Sequence, residues 1–136
     1  MKTNTKRVPS WTTAQFAPES PLGVHIIADF WGAEVIESQE RIERILLEAA
    51  RLSNNTVLKT LVHKFDPQGL TGIVLLEESH ISIHTWPEFS YVGVDIFTCG
   101  ENSVPEKALE YLQEVFAPKS VQVSKVDRGS RWKRGS

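Results

Sequence analysis

The sequence predicts an α+β fold: a two-layer sandwich, mainly antiparallel sheet, with two helices on one face. Three observations carry this. Two segments repeat apolar residues at helical spacing, and six others are short β-branched or alternating runs. Most of the extended runs are joined by a few turn-forming residues, which favours antiparallel neighbours. The length, 136 residues, is that of about one domain.

Taken in order, residues 1–21 contain Pro9, Pro18 and Pro21 and read as an irregular lead-in. Gly23 to Trp31 (GVHIIADFW) is a strand, ended by Gly32. Glu37 to Leu52 is a helix: Ile42, Ile45, Leu46, Ala49 and Leu52 share one face, and Arg41, Glu43, Arg44 and Glu48 the other. Ser38 is its candidate cap, with no acid three residues on to complete a capping box. Ser53-Asn54-Asn55 closes it. Thr56 to Phe65 is a second strand and Asp66-Pro67-Gln68-Gly69 a turn. Thr71–Leu76, His80–Trp86 and Tyr91–Thr98 are three further strands, the last two joined by Pro87–Ser90. Val104 to Phe116 is an amphipathic helix, and Ser120 to Val126 alternates as a last strand. A single domain is assigned to residues 22–128, followed by a basic flexible tail, 129–136.

Composition excludes several classes. With 40% hydrophobic and 24% charged residues the chain is not collagenous, disulfide-built or wholly disordered. No run of about 18 apolar residues exists to span a membrane. The start, MKTNTKRVPSWTTAQF, has no apolar core of a signal peptide, so a cytoplasmic location is expected. Net charge is −2, but Lys125–Ser136 holds five basic residues against one acid, leaving −6 on residues 1–124. An acidic body is the opposite of a nucleic-acid footprint, and no such partner is expected. Cys99 is the only cysteine, so no intrachain disulfide forms.

Reactive side chains are densest between Glu77 and Gly100: Ser79, His80, Ser82, His84, Glu88, Asp95 and Cys99. A metal site is not expected. His80 and His84 lie on a strand-like segment, where four residues span ~13 Å, too far for one zinc ion with ligands near ~2 Å. Folding the hairpin through Pro87–Ser90 pairs Trp86 with Tyr91, so paired numbers sum to about 177. His84 then faces Gly93, and Ser79 lies near Thr98 and Cys99. Odd spacing puts Ser79 and His84 on opposite faces of an unbroken strand, so their cooperation requires a bend near Glu77–His80. His80 and Ser82 read as polar side chains on a half-buried strand. For Ser79, His84 and Cys99 geometry alone leaves a reactive set and a structural role equally open.

The blocks ESHISIHTWPE and VDIFTCG, with GVHIIADFWG, HKFDPQG and VSKVDRG around them, resemble the prokaryotic S-adenosylmethionine decarboxylases from about Gly23 to Gly129. The resemblance implies a proenzyme that cuts itself between Glu78 and Ser79, giving chains of 1–78 and 79–136. Ser79 becomes a pyruvoyl group, which replaces any external cofactor and forms a Schiff base with the substrate amine. His84 matches the residue that removes the Ser79 α-proton during processing, and Cys99 the proton donor in decarboxylation. Thr71 stands where a serine assisting processing is expected. Glu88 matches the acid that binds the ribose hydroxyls and Phe65 an aromatic position near the adenine, with Trp86 beside them. The implied substrate is S-adenosylmethionine and the product an aminopropyl donor for spermidine. The implied assembly is a homodimer of processed protomers with sites near the subunit interface. Two alternatives remain at this stage: an arginine or ornithine decarboxylase of the same pyruvoyl fold, and a non-cleaving regulatory homologue.

Overall fold

The computed structural model describes Pro18 and residues 20–130. The first helix, α1 (Gln39–Leu52), starts two residues later than its apolar pattern suggests, because Ser38 caps it. The Ser38 hydroxyl accepts the Arg41 backbone N–H at 3.1 Å, meeting one of the donors a helix start leaves unpaired. Ile42, Ile45, Leu46, Ala49 and Ala50 are the buried stripe. The second helix, α2 (Pro105–Phe116), opens on a proline, whose missing N–H costs nothing there, and buries Ala108, Leu112 and Phe116.

Both helices pack on one face of a six-stranded antiparallel sheet. Its strands are β1 (Gly23–Trp31), β2 (Thr56–Lys64), β3 (Leu70–Glu77), β4 (Ser79–Trp86), β5 (Tyr91–Cys99) and β6 (Ser120–Arg128). Their spatial order is β2-β3-β4-β5-β1-β6. Alternation decides which side chains meet the helices. Ile26, Ala28 and Phe30 of β1, Val74 and Leu76 of β3, Ile81 and Ile83 of β4, and Val92, Val94 and Ile96 of β5 are all buried.

The expected β4–β5 register is the observed one: Trp86 pairs with Tyr91, His84 with Gly93 and Ser79 with Thr98. The chain reverses at Glu78, between β3 and β4, and β4 runs unbroken from Ser79 to Trp86. The expected bend near Glu77–His80 is present, as the reversal at Glu78 with Ser79 at positive φ, but β4 then runs on to Trp86 and carries His84 away from Ser79. The last strand continues to Arg128, two residues past the alternating run, because its end pairs with Gly23. Lys125 and Arg128 thus belong to the sheet: Lys125 pairs with Glu106 at 2.8 Å, and Arg128 lies over the Phe97 ring. Of the lead-in, Pro18, Ser20 and Pro21 are described and carry no regular element. The remainder, and residues 131–136 of the basic tail, lie outside the described residues. Among the described residues no helix is long and apolar enough to cross a membrane.

Among the described residues no helix packs on the second face of the sheet. Ile27, Trp31, Leu61, Leu75, Trp86 and Val126 stand exposed on it. Among them sits a polar network. The Tyr91 hydroxyl donates to Asp29, His25 Nε2 lies 3.1 Å from Asp95, and Ser82 donates to the other Asp95 oxygen at 3.4 Å.

Candidate active site

Two clusters of the expected residues form, at opposite ends of β4. The first is at its start. The short reversal at Glu78 sets Ser79 beside the end of β5, and Ser79 Oγ lies 3.2 Å from Cys99 Sγ, within hydrogen-bond reach. Ser79 has φ +96°, a left-handed conformation that side-chain-bearing residues rarely adopt. Such backbone costs on the order of 1–3 kcal/mol and persists only where its surroundings hold it. A cavity of about 610 Å³ adjoins this end, walled by Pro18 and Ser20–Val24 on one side and by Thr98–Glu101, Ser103 and Pro105 on the other.

The second cluster is at the end of β4, where a cavity of about 310 Å³ is lined by Phe65, Gln68, Thr71, His84, Trp86 and Glu88, among others. His84 projects from the open face, opposite Gly93 on β5 and Thr71 on β3. Its Nδ1 is 3.2 Å from the Thr71 hydroxyl, which fixes the ring's orientation. Trp86 packs between His84 and Tyr91, at ring-centroid distances of 6.3 and 5.3 Å. Phe65 and Trp86 are both about half exposed, so these rings are not core residues. Glu88 lies in the short 3-10 turn Pro87–Phe89 that follows β4.

The structure thus joins Ser79 to Cys99, and Thr71, Phe65, Trp86 and Glu88 to His84. It does not join the two sets within one chain. Five residues of strand separate Ser79 from His84, about 16 Å at strand rise. His80 and Ser82 take structural positions: His80 meets the Phe97 ring edge-on at 6.0 Å, and Ser82 serves the Asp95 network.

Two features escaped the sequence reading. Gln68 donates to Glu88 Oε1 at 3.2 Å, orienting the carboxylate; the turn residues HKFDPQG carried no signal for that contact. Burial is the main force on Tyr91, and with the Asp29 carboxylate it pushes the phenol up to about 12. Among the described residues no group of three or more His, Cys, Asp or Glu converges as a metal site.

Comparison with known proteins points to one family. The sequence model for S-adenosylmethionine decarboxylase matches residues 24–129. The S-adenosylmethionine decarboxylase proenzyme of Methanococcus maripaludis strain C7 is 43% identical over 110 residues, covering 79% of this chain and 90% of the relative. That of Caldicellulosiruptor saccharolyticus is 44% identical over 110 residues, covering 79% and 89%. The crystal structure of the adenosylmethionine decarboxylase from Aquifex aeolicus VF5 superimposes with a TM-score of 0.76 at 37% identity, covering 86% of this chain and 98% of that one. With its motif blocks in the matched region and its sheet that of a solved relative, the chain belongs to the S-adenosylmethionine decarboxylase family.

Proposed function

We propose that the chain is a self-cleaving, pyruvoyl-dependent decarboxylase of S-adenosylmethionine that works in the cytosol and supplies the aminopropyl donor for spermidine. The observation that carries this reading is the 3.2 Å approach of Ser79 Oγ to Cys99 Sγ at a left-handed serine that follows Glu78 directly.

Processing uses the chain's own groups. Ser79 Oγ attacks the Glu78 carbonyl carbon; the new C–O bond forms, the C–N bond breaks, and the amide becomes an ester. Release of the positive φ at Ser79 favours this step. His84 then takes the Ser79 α-proton, the Cβ–O bond breaks, and residues 1–78 leave with a Glu78 carboxylate. Hydrolysis of the remaining enamine yields the pyruvoyl end and ammonia. The residues present fit that group: Ser79 supplies its atoms, and Cys99 stands beside it as a weak acid.

A pyruvoyl group at residue 79 would supply a carbonyl able to hold the substrate amine and an electron sink for the loss of carbon dioxide. Cys99 donates its thiol proton to the substrate carbon that has lost the carboxylate, and solvent restores the thiol. Glu88, steadied by Gln68, accepts the ribose hydroxyls. Phe65 and Trp86 offer flat faces to the adenine and to the sulfonium cation. A nucleoside needs both an acid and a stacking surface, whereas arginine or ornithine needs only the acid. Glu88 and Phe65 on one cavity therefore favour S-adenosylmethionine.

The working unit is a homodimer. The open sheet face leaves Ile27, Trp31, Leu61, Leu75, Trp86 and Val126 exposed, and large apolar patches mark interaction surfaces. His84 is also too far along β4 to serve Ser79 of its own chain. Stacking two open faces about a twofold axis that runs across the strands sets the His84 end of one protomer against the Ser79 end of the other. The discriminating experiment measures carbon dioxide release from S-adenosylmethionine, arginine and ornithine side by side, with mass spectrometry for chains 1–78 and 79–136. A single uncut, inactive chain after long incubation overturns the reading.

A further inference from the structure

We propose that Gly23 is a positioning residue for Cys99: its missing side chain is the space that seats the thiol against residue 79. This deepens the decarboxylase reading and, for its kinetic part, rests on it. Gly23 opens β1 and pairs with Cys99 on one side and Arg128 on the other. The chain does not need glycine there for its backbone, since Gly23 is absent from the glycines at positive φ. Within a strand, glycine weakens the sheet, so its place calls for a spatial reason.

The neighbours supply that reason. A Cβ on Gly23 would stand 2.8 Å from Phe97 Cε1, 3.0 Å from Cys99 Sγ and 3.0 Å from the Thr98 carbonyl oxygen. Two of the three resist displacement. The Thr98 oxygen is backbone, and the Phe97 ring is held by Arg128 above it and by contacts with His25 and His80. The thiol turns on a single bond, so it is the group that moves. Its motion breaks the 3.2 Å approach to residue 79. A proton donor moved by about 1 Å loses on the order of 100-fold in rate.

Because Cys99 is the only cysteine, its alkylation is unambiguous. The experiment compares wild type, Gly23→Ala and Phe97→Leu by three measurements. These are the extent of self-cleavage, the pH profile of Cys99 alkylation by iodoacetamide, and kcat and KM with S-adenosylmethionine in deuterium oxide, including the handedness of deuterium in the product. Gly23→Ala is expected to cleave fully and to alkylate several-fold faster. Its kcat falls about 100-fold with KM within about twofold, and deuterium enters on both faces of the carbon. Phe97→Leu removes a wall of the same slot without adding an atom at Gly23. It shows the same changes at smaller size and carries the test should the alanine variant not fold. Wild-type alkylation and kcat in both variants overturn the role of Gly23. Absence of cleavage or decarboxylation in wild type overturns the decarboxylase reading instead, and the alkylation comparison still decides whether Gly23 holds the thiol.

Discussion

Ser79 and Cys99 are 20 positions apart in the chain and 3.2 Å apart in space, and the division of labour between them is testable one side chain at a time. Ser79→Ala removes the hydroxyl that attacks the Glu78 carbonyl. The expected outcome is a full-length chain by mass spectrometry and no decarboxylation. Cys99→Ala leaves that nucleophile in place, so cleavage into 1–78 and 79–136 proceeds while kcat falls by about 10²–10⁴-fold, the usual worth of a positioned proton donor. Normal turnover in this variant excludes the thiol as the donor. The proximity of these two residues was legible in advance, because a four-residue connection after Trp86 fixes which residues face one another up to Ser79. The partner of His84 was not. Side-chain parity assigned His84 to the face opposite Ser79, a conflict that the sequence alone resolves only with a bend near Glu77–His80. The bend forms at Glu78 and Ser79, yet the five strand residues that follow still carry His84 to the far end of β4.

Between elements, the strands and helices followed from alternation and helical spacing, while their ends were set by contacts distant in sequence. Ser38 moved the start of α1 to Gln39, and pairing with Gly23 carried β6 on to Arg128. The links across the open face were also beyond a local reading, since Asp29 and Tyr91 are 62 residues apart. That link joins β1 to β5 and has a pH signature. Burial, followed by the hydrogen bond to Asp29, raises the Tyr91 phenol to about 12 from an ordinary value of 10. The neutral phenol is thus favoured in the fold. Its contribution to stability is complete below pH 10 and lost as pH rises through 12. An absorbance titration of the native protein is expected to show a tyrosine with a midpoint near 12. Tyr91→Phe is expected to remove that transition and to flatten the fall in unfolding midpoint between pH 10 and 12. A Tyr91 titration at its ordinary value shows that the β1–β5 link does not form in solution.

For the molecule as a whole, the decisive fact is that one sheet carries both halves of a site at opposite ends, with a face between them that no described helix covers. A sheet with helices on one side only must expose its second face or cover it with something. A second copy covers it with no further protein, and a twofold axis lying across the strands, in the plane between the two sheets, exchanges the two ends of β4. Self-cleavage then becomes a property of the pair. Ser79→Ala chains lack the nucleophile but retain His84; His84→Ala chains retain Ser79 but lack the base. Each variant alone is expected to stay uncut. In a mixture refolded together, a heterodimer sets the intact His84 of the first chain against the intact Ser79 of the second. About half of the heterodimer's chains are then cut, and every cut chain carries His84→Ala. Mass spectrometry reads this directly, because the fragment 79–136 bears the substitution. Cleavage confined to one variant, and only after mixing, is a result that a site complete within a single chain does not give. Cleavage of the His84→Ala chain on its own removes His84 from processing, and an uncut mixture that sediments as a heterodimer removes the shared site.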